Sequence, residues 1–286
     1  MKKTLSILLF ILTVVGSLLF ININSNVNAL ELTPKLIEGT KTSEFSKVQS
    51  LKISTDSKLK SEGYTDAQII EIRDFDFGKA IKERSIKYNN VQLKSMGYTD
   101  NQINIMRDFK GTDVEIMALS STLTLNIWNS GATAGSSFSS LNASMNWSWS
   151  TQPLWELTDI IAFSWSGGYS SGYSSTLTAN YVYAFDSSKV IKKDFPLLSS
   201  NIIPGAGCFF KIPMQYSGNA DYMARSGSGT VYLNKYAYVG SAQVLCKYGH
   251  RQLVGSAVVR IPSGLSISFN IGTNEEAVKT FNYPSY

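Results

Sequence analysis

The stretch "LNASMNWSWS" constrains the fold more than any other. Leu141, Ala143, Met145, Trp147 and Trp149 fall on one side of an extended chain, and Asn142, Ser144, Asn146 and Ser148 on the other. Successive strand side chains point to opposite faces, so this period of two is that of a half-buried β-strand. The same alternation runs through "STLTLNIW" at 121–128, "TLTANYVYAF" at 176–185 and "TVYLNKYAYV" at 230–239. It returns in "SAVVRI" at 256–261 and "LSISFNI" at 265–271. Several such strands with Gly/Ser-rich turns predict an antiparallel β domain over residues 120–286, sandwich-like or elongated. The segment is long enough to enclose one sizeable core.

The chain upstream is written differently. Residues 30–119 carry 14 basic and 14 acidic side chains, whereas residues 120–286 carry 10 and 7. That drop in charge density predicts a boundary near residue 119 and an α+β protein. Within the charged part, "LKSEGYTDAQIIEIRDF" from Leu59 is echoed by "LKSMGYTDNQINIMRDF" from Leu93, identical at 12 of 17 positions with an offset of 34. Each copy reads as a helix end, a turn and a helix start. Gly63 and Gly97 stand where a left-handed C-cap is needed. Thr65 with Gln68, and Thr99 with Gln102, are spaced as capping boxes. Tyr64 is placed to pack on Leu59 and Ile69, and Tyr98 on Leu93 and Ile103. The region is expected to be a small helical repeat, or a pro-region with an exposed junction at Met117–Ser121.

The first 29 residues predict export. Lys2 and Lys3 precede an apolar run from Leu5 to Ile23, and Val27-Asn28-Ala29 fits a cleavage site, so residues 1–29 read as a secretory signal peptide. Removing them lowers the net charge from +5 to +3, a bias too weak for nucleic acid. "KTFNYPSY" at the end holds no wall-sorting motif, which predicts release into the medium as an extracellular protein. In an oxidising compartment the two cysteines, Cys208 and Cys246, are expected to form a disulfide.

Catalytic chemistry finds little support. The one histidine, His250, sits in "CKYGHRQL" and reads as an exposed loop residue. No G-x-S-x-G elbow accompanies it. Glu156 and Asp159 are three apart in an apparent strand, on opposite faces, a poor geometry for a glycosidase pair. No phosphate-binding loop or calcium loop occurs. The expectation is therefore no catalytic residue, no cofactor and no metal, with a hydrolase built on Ser and His250 as a third-ranked alternative.

Residues 145–185 are rich in uncharged aromatics. Uncharged Ser and Thr alternating with apolar residues from 121 to 185 also suit a membrane β-hairpin, which needs one lipid face and one wet face. Tyr169 and Tyr173, in a Gly/Ser link, are expected to be exposed. Trp147, Trp149, Trp155 and Trp165 join them as candidate membrane or ligand contacts.

The Gram-positive-type signal, the "GYTDxQI…RDF" units at Gly63–Phe75 and Gly97–Phe109, and the neutral β region together resemble the large secreted bacteriocins of bacilli, the geobacillin-like proteins. The resemblance implies a heat-sensitive, non-enzymatic protein that kills related bacteria, and it transfers no site residue. The function expected is thus a secreted antibacterial protein acting at the target envelope or membrane, with oligomerisation there. The alternative is a secreted module that binds a surface polymer or protein without killing.

Overall fold

The computed structural model describes residues 40–172, 174–252, 259–262, 265–269 and 273–282, for the last of these the backbone only. The signal segment 1–29 lies outside the described residues. Residues 34–286 form one compact unit.

Among the described residues, one short strand is followed by seven α-helices: α1 (Glu44–Ile53), α2 (Asp56–Ser61), α3 (Asp66–Asp74), α4 (Phe77–Lys87), α5 (Asn90–Ser95), α6 (Asp100–Arg107) and α7 (Asp113–Leu119). Each start is fixed by a side chain that accepts a free backbone N–H. Thr65 and Gln68 close a reciprocal box at α3, and Thr99 and Gln102 do the same at α6. Gly63 and Gly97 end the preceding helices at φ 98° and 94°, the left-handed region open to glycine without a Cβ clash. Leu59, Tyr64 and Ile69 pack in one small cluster with Leu51 and Ile72. Leu93, Tyr98 and Ile103 belong to a larger one with Phe45, Ile81 and Met106.

The larger cluster is completed by the β region, through Ala184 with partly buried Leu154, Trp155 and Phe185. The junction at Met117–Ser121 is exposed only in its first part, where Met117 is 58% exposed. Leu119, Ser120 and Ser121 are buried, and Ser121 Oγ donates to Thr151 O at 2.6 Å.

The strands form two main antiparallel sheets. In the first, β1 (Thr40–Ser43), β2 (Thr122–Ala134), β3 (Ser139–Trp149), β11 (Asn219–Lys235), β6 (Thr176–Tyr183) and β7 (Asp186–Pro196) lie in that order, with β5 (Ser170–Ser171) and β10 (Gln215–Tyr216) also paired to β11. In the second the order is β15 (Thr273–Asn282), β12 (Ser241–His250), β4 (Thr158–Trp165), β9 (Gly207–Pro213) and β8 (Ile202–Ile203). The short pair β13 (Val259–Arg260) and β14 (Ser268–Phe269) stands apart. Leu125, Trp147, Tyr181 and Val231 of the first sheet share one buried cluster with Phe163, Phe210, Val244 and Tyr248 of the second.

That core explains why only part of the chain alternates. Over Thr122–Ile127 of β2 buried apolar residues alternate with half-buried polar ones, and along β3 Leu141, Ala143, Met145, Trp147 and Trp149 are buried. Along β4 seven successive residues are buried, because Ala162 faces a second cluster with Leu245, Ile261 and Ile267. A strand covered on both faces loses its period of two.

The cysteines are not bridged; both are free and buried. Cys208 pairs with Phe163 across one edge of β4, and Cys246 pairs with the same Phe163 across the other. Two strand spacings separate them, about 9–10 Å, whereas a disulfide needs Cα atoms within about 7 Å. Burial pushes both thiols well above their ordinary pKa, so they stay protonated and inert.

Candidate functional site

The sequence-derived contact residues are mostly core. Trp147, Trp149, Trp165 and Tyr169 are all buried in the cluster shared by the two sheets. Trp165 Nε1 donates to Tyr169 O at 2.8 Å, which folds the Gly167-Gly168 turn back and carries Tyr169 inward rather than into solvent. Trp155 is half-buried against Phe75, ring centroids 4.4 Å apart. Tyr173 lies outside the described residues. The reason is the alternation itself: the face that carries the tryptophans is the one that meets the second sheet.

His250 is the largest departure from expectation. It ends β12 fully buried, between two carboxylates that are also at 0% exposure. Its Nδ1 lies 2.9 Å from Asp159 Oδ2, and its Nε2 lies 3.1 Å from Glu44 Oε1. Asp159 also accepts from Tyr248 OH at 2.7 Å and from the Arg251 amide at 3.0 Å. Glu44, in the first turn of α1, accepts from the Leu154 amide at 2.9 Å. Burial alone would lower the histidine pKa, but Asp159 and then Glu44 outweigh it and raise it to about 10. The ring is therefore an imidazolium at neutral pH. Both nitrogens are committed to carboxylates, so this histidine is not arranged as a general base for a serine.

This ion cluster ties residue 44 to residues 159 and 250, joining the first helix to the neighbouring strands β4 and β12 of the second sheet. The connection between β3 and β4 is gripped from several sides. Arg84 of α4 donates to Gln152 O at 2.6 Å, Pro153 O at 2.9 Å and Tyr98 OH at 3.0 Å. The Gln152 amide donates to Met96 O at 2.8 Å. Arg225 of β11 reaches Ser150 O at 3.0 Å. A Cβ on Gly97 would stand 2.4 Å from Arg225 Nη2 and 2.7 Å from Ser150 O. The second "GYTD" copy thus serves as the seat for this connection. Glu156 lies in the connection, not in a strand, and accepts from Gln152 and Gln215 side chains at 2.8 and 2.6 Å.

The hairpin of β2 and β3 is the third feature. Residues 116–155 carry no charge at all. Leu123, Leu125, Ile127, Met145 and Trp147 point inward. The outer face is a ladder of neutral hydrogen bonds: Asn126 Nδ2 to Asn146 Oδ1 at 2.7 Å, Ser130 with Ser144 at 2.7 Å, and Ser144 with Thr230 at 2.8 Å. The strands are 13 and 11 residues long, and about 9–11 residues suffice to cross a bilayer. A cleft of about 530 Å³ opens elsewhere, lined by Tyr216, Gln215, Asn219, Glu156 and Arg251 among others.

No protein-family model matches the chain, and no curated protein does. Among solved structures, the chain is similar to ACE19, the collagen-binding subdomain of the Enterococcus faecalis surface protein ACE. That likeness is 8% identical with a TM-score of 0.29, over 54% of this chain and 91% of the other. It is also similar to AvmM, which catalyses macrocyclization in alchivemycin A biosynthesis, at 10% identity and a TM-score of 0.30, over 57% and 90%. Clostridium perfringens delta-toxin follows at 8% identity and a TM-score of 0.18, over 57% and 78%. Nothing about function follows from likenesses this distant.

Sequence reasoning missed the Glu44–His250–Asp159 cluster, whose members stand 91 and 206 residues apart. The local sequence around His250 signals neither pairing. Among the described residues, no helix is long and apolar enough to cross a membrane, which says nothing of strands.

Proposed function

We propose that the chain is a secreted antibacterial protein, akin to the large bacteriocins it resembles, that acts without enzymatic chemistry by permeabilising the target membrane. The reading carries with it a sandwich of two sheets and a small helical repeat that braces it. The β2–β3 hairpin is its main support. One face of that hairpin is apolar, the other is neutral and hydrogen-bonded, and no charge has to enter lipid. In the folded protein the apolar face is spent on the core. In a ring of copies the same face would meet lipid, and the Asn/Ser/Thr face would line water. The helices, locked through Glu44 and Arg84, hold the hairpin in its soluble place.

The test is dye release from phosphatidylglycerol-containing vesicles, run beside growth of related Gram-positive cells. Release together with killing is expected. Killing without release points instead to a receptor or a wall lesion. Neither effect, with the secreted form verified as folded, favours the binding-module reading, which the cleft around Tyr216 and Asn219 would serve.

A further inference from the structure

Among the described residues, the most exposed aromatic side chains lie outside the aromatic-rich segment. Tyr236 is 90% exposed, Tyr238 44% and Phe138 38%. Phe138 sits in the turn between β2 and β3, closed by the Gly135 amide donating to Phe138 O at 2.8 Å. Tyr236 and Tyr238 sit in the turn between β11 and β12. The rings of Phe138 and Tyr236 lie 5.6 Å apart. Ser139 fastens the two turns: its Oγ donates to Ala237 O at 2.7 Å and accepts from the Val239 amide at 3.2 Å. A third turn joins them, since Lys235 Nζ donates to Gly167 O at 2.7 Å.

We propose that this end of the first sheet is a membrane-docking surface, with Phe138, Tyr236 and Tyr238 entering the interface of a phospholipid bilayer. Three observations select lipid over other partners. The rings stand out from turns, and a side chain as exposed as Tyr236 has no concave wall around it. A sugar or peptide is held in a groove, whereas a bilayer takes protruding rings. The segments 132–140, 164–172 and 232–240 contain no Asp or Glu, and their single charge is Lys235, so nothing here repels anionic headgroups. Phe138 also lies at the tip of the uncharged β2–β3 hairpin, the end that would enter first. Tyrosine, with an apolar ring and a polar hydroxyl, suits the headgroup boundary. The inference rests on the membrane-acting reading above and names the contact it would use.

The test is co-sedimentation of the secreted protein with vesicles of phosphatidylcholine and phosphatidylglycerol. The triple variant Phe138→Ser, Tyr236→Ser, Tyr238→Ser should bind about tenfold more weakly or worse, because three interfacial rings are lost. Its fold, read by circular dichroism, should stay that of the parent, since none of the three rings belongs to the buried clusters. Tyr236→Phe with Tyr238→Phe should keep the binding. Ser136→Glu with Ser137→Glu should weaken binding most on the anionic vesicles. Unchanged binding by the triple variant overturns the proposal, as does binding to purified cell-wall glycan but not to vesicles. The two readings separate cleanly. Tip-dependent binding without dye release removes permeabilisation and keeps the surface; dye release by the triple variant at parental levels removes the surface and keeps permeabilisation.

Discussion

Replacing His250 by glutamine tests the buried ion cluster. The substitution keeps a polar side chain of similar reach but removes the positive charge between Glu44 and Asp159, all three at 0% exposure. Two carboxylates then remain buried without it. The histidine pKa rises from 6.5 to about 10 on folding; at about 1.4 kcal/mol for each pH unit, that corresponds to roughly 5 kcal/mol. Removing one partner of a buried pair costs about 3–5 kcal/mol in general, a range that meets this figure. The sign follows from the direction of the shift. A raised pKa means that the folded state holds the proton more tightly, so the contribution is complete below pH 6.5 and is lost as pH rises through 10. Urea unfolding of parent and variant, repeated from acid to alkaline pH, reads this directly. A stability gap of several kcal/mol that shrinks with rising pH is the predicted result. A gap below about 1 kcal/mol, or one that does not narrow toward pH 10, would refute the reasoning.

Other positions carry independent expectations. Gly97→Ala forces a Cβ to within 2.4 Å of Arg225 Nη2 at a φ of 94°, and should cost about 2–3 kcal/mol in thermal or urea unfolding. The two cysteines should react with a thiol reagent only in denaturant, and reductant should leave the melting temperature unchanged; a bridge that reductant breaks would contradict the strand register around Phe163. Trp147→Ala should destabilise by about 3–5 kcal/mol as a core truncation, which separates its role from that of a surface contact.

Much of the fold was legible because strand alternation is a local property. Leu141 to Trp149 and Leu177 to Tyr181 announce their inward faces residue by residue, and the Thr–Gln spacing announces the starts of α3 and α6. The rest depends on pairing across long stretches of sequence. The period of two cannot say that the tryptophan face of β3 meets a second sheet, so those rings read equally well as contacts. "TVYLNKYAYV" alternates to its end, yet the strand stops at Lys235 and releases Tyr236 and Tyr238 to solvent. Tyr169 has no alternating neighbours, and the two-glycine turn that folds it inward acts only with Trp165 as partner. Two cysteines in a chain whose start reads as an export signal suggest a bridge until β4 is placed between them. His250 offers no pattern at all, because its carboxylates come from the first turn of α1 and the start of β4, far away in the chain.

A reversible lock on the hairpin tests the central claim most directly. Asn146 of β3 and Ser228 of β11 are directly opposite across the strand pair, a spacing that a disulfide can span. The double variant Asn146→Cys, Ser228→Cys, once oxidised, should keep its fold and lose dye release from anionic vesicles, and reductant should restore release to the parental rate. Release that continues unchanged with the lock closed would mean that the β2–β3 hairpin stays in the sheet while the protein acts, and would contradict the account.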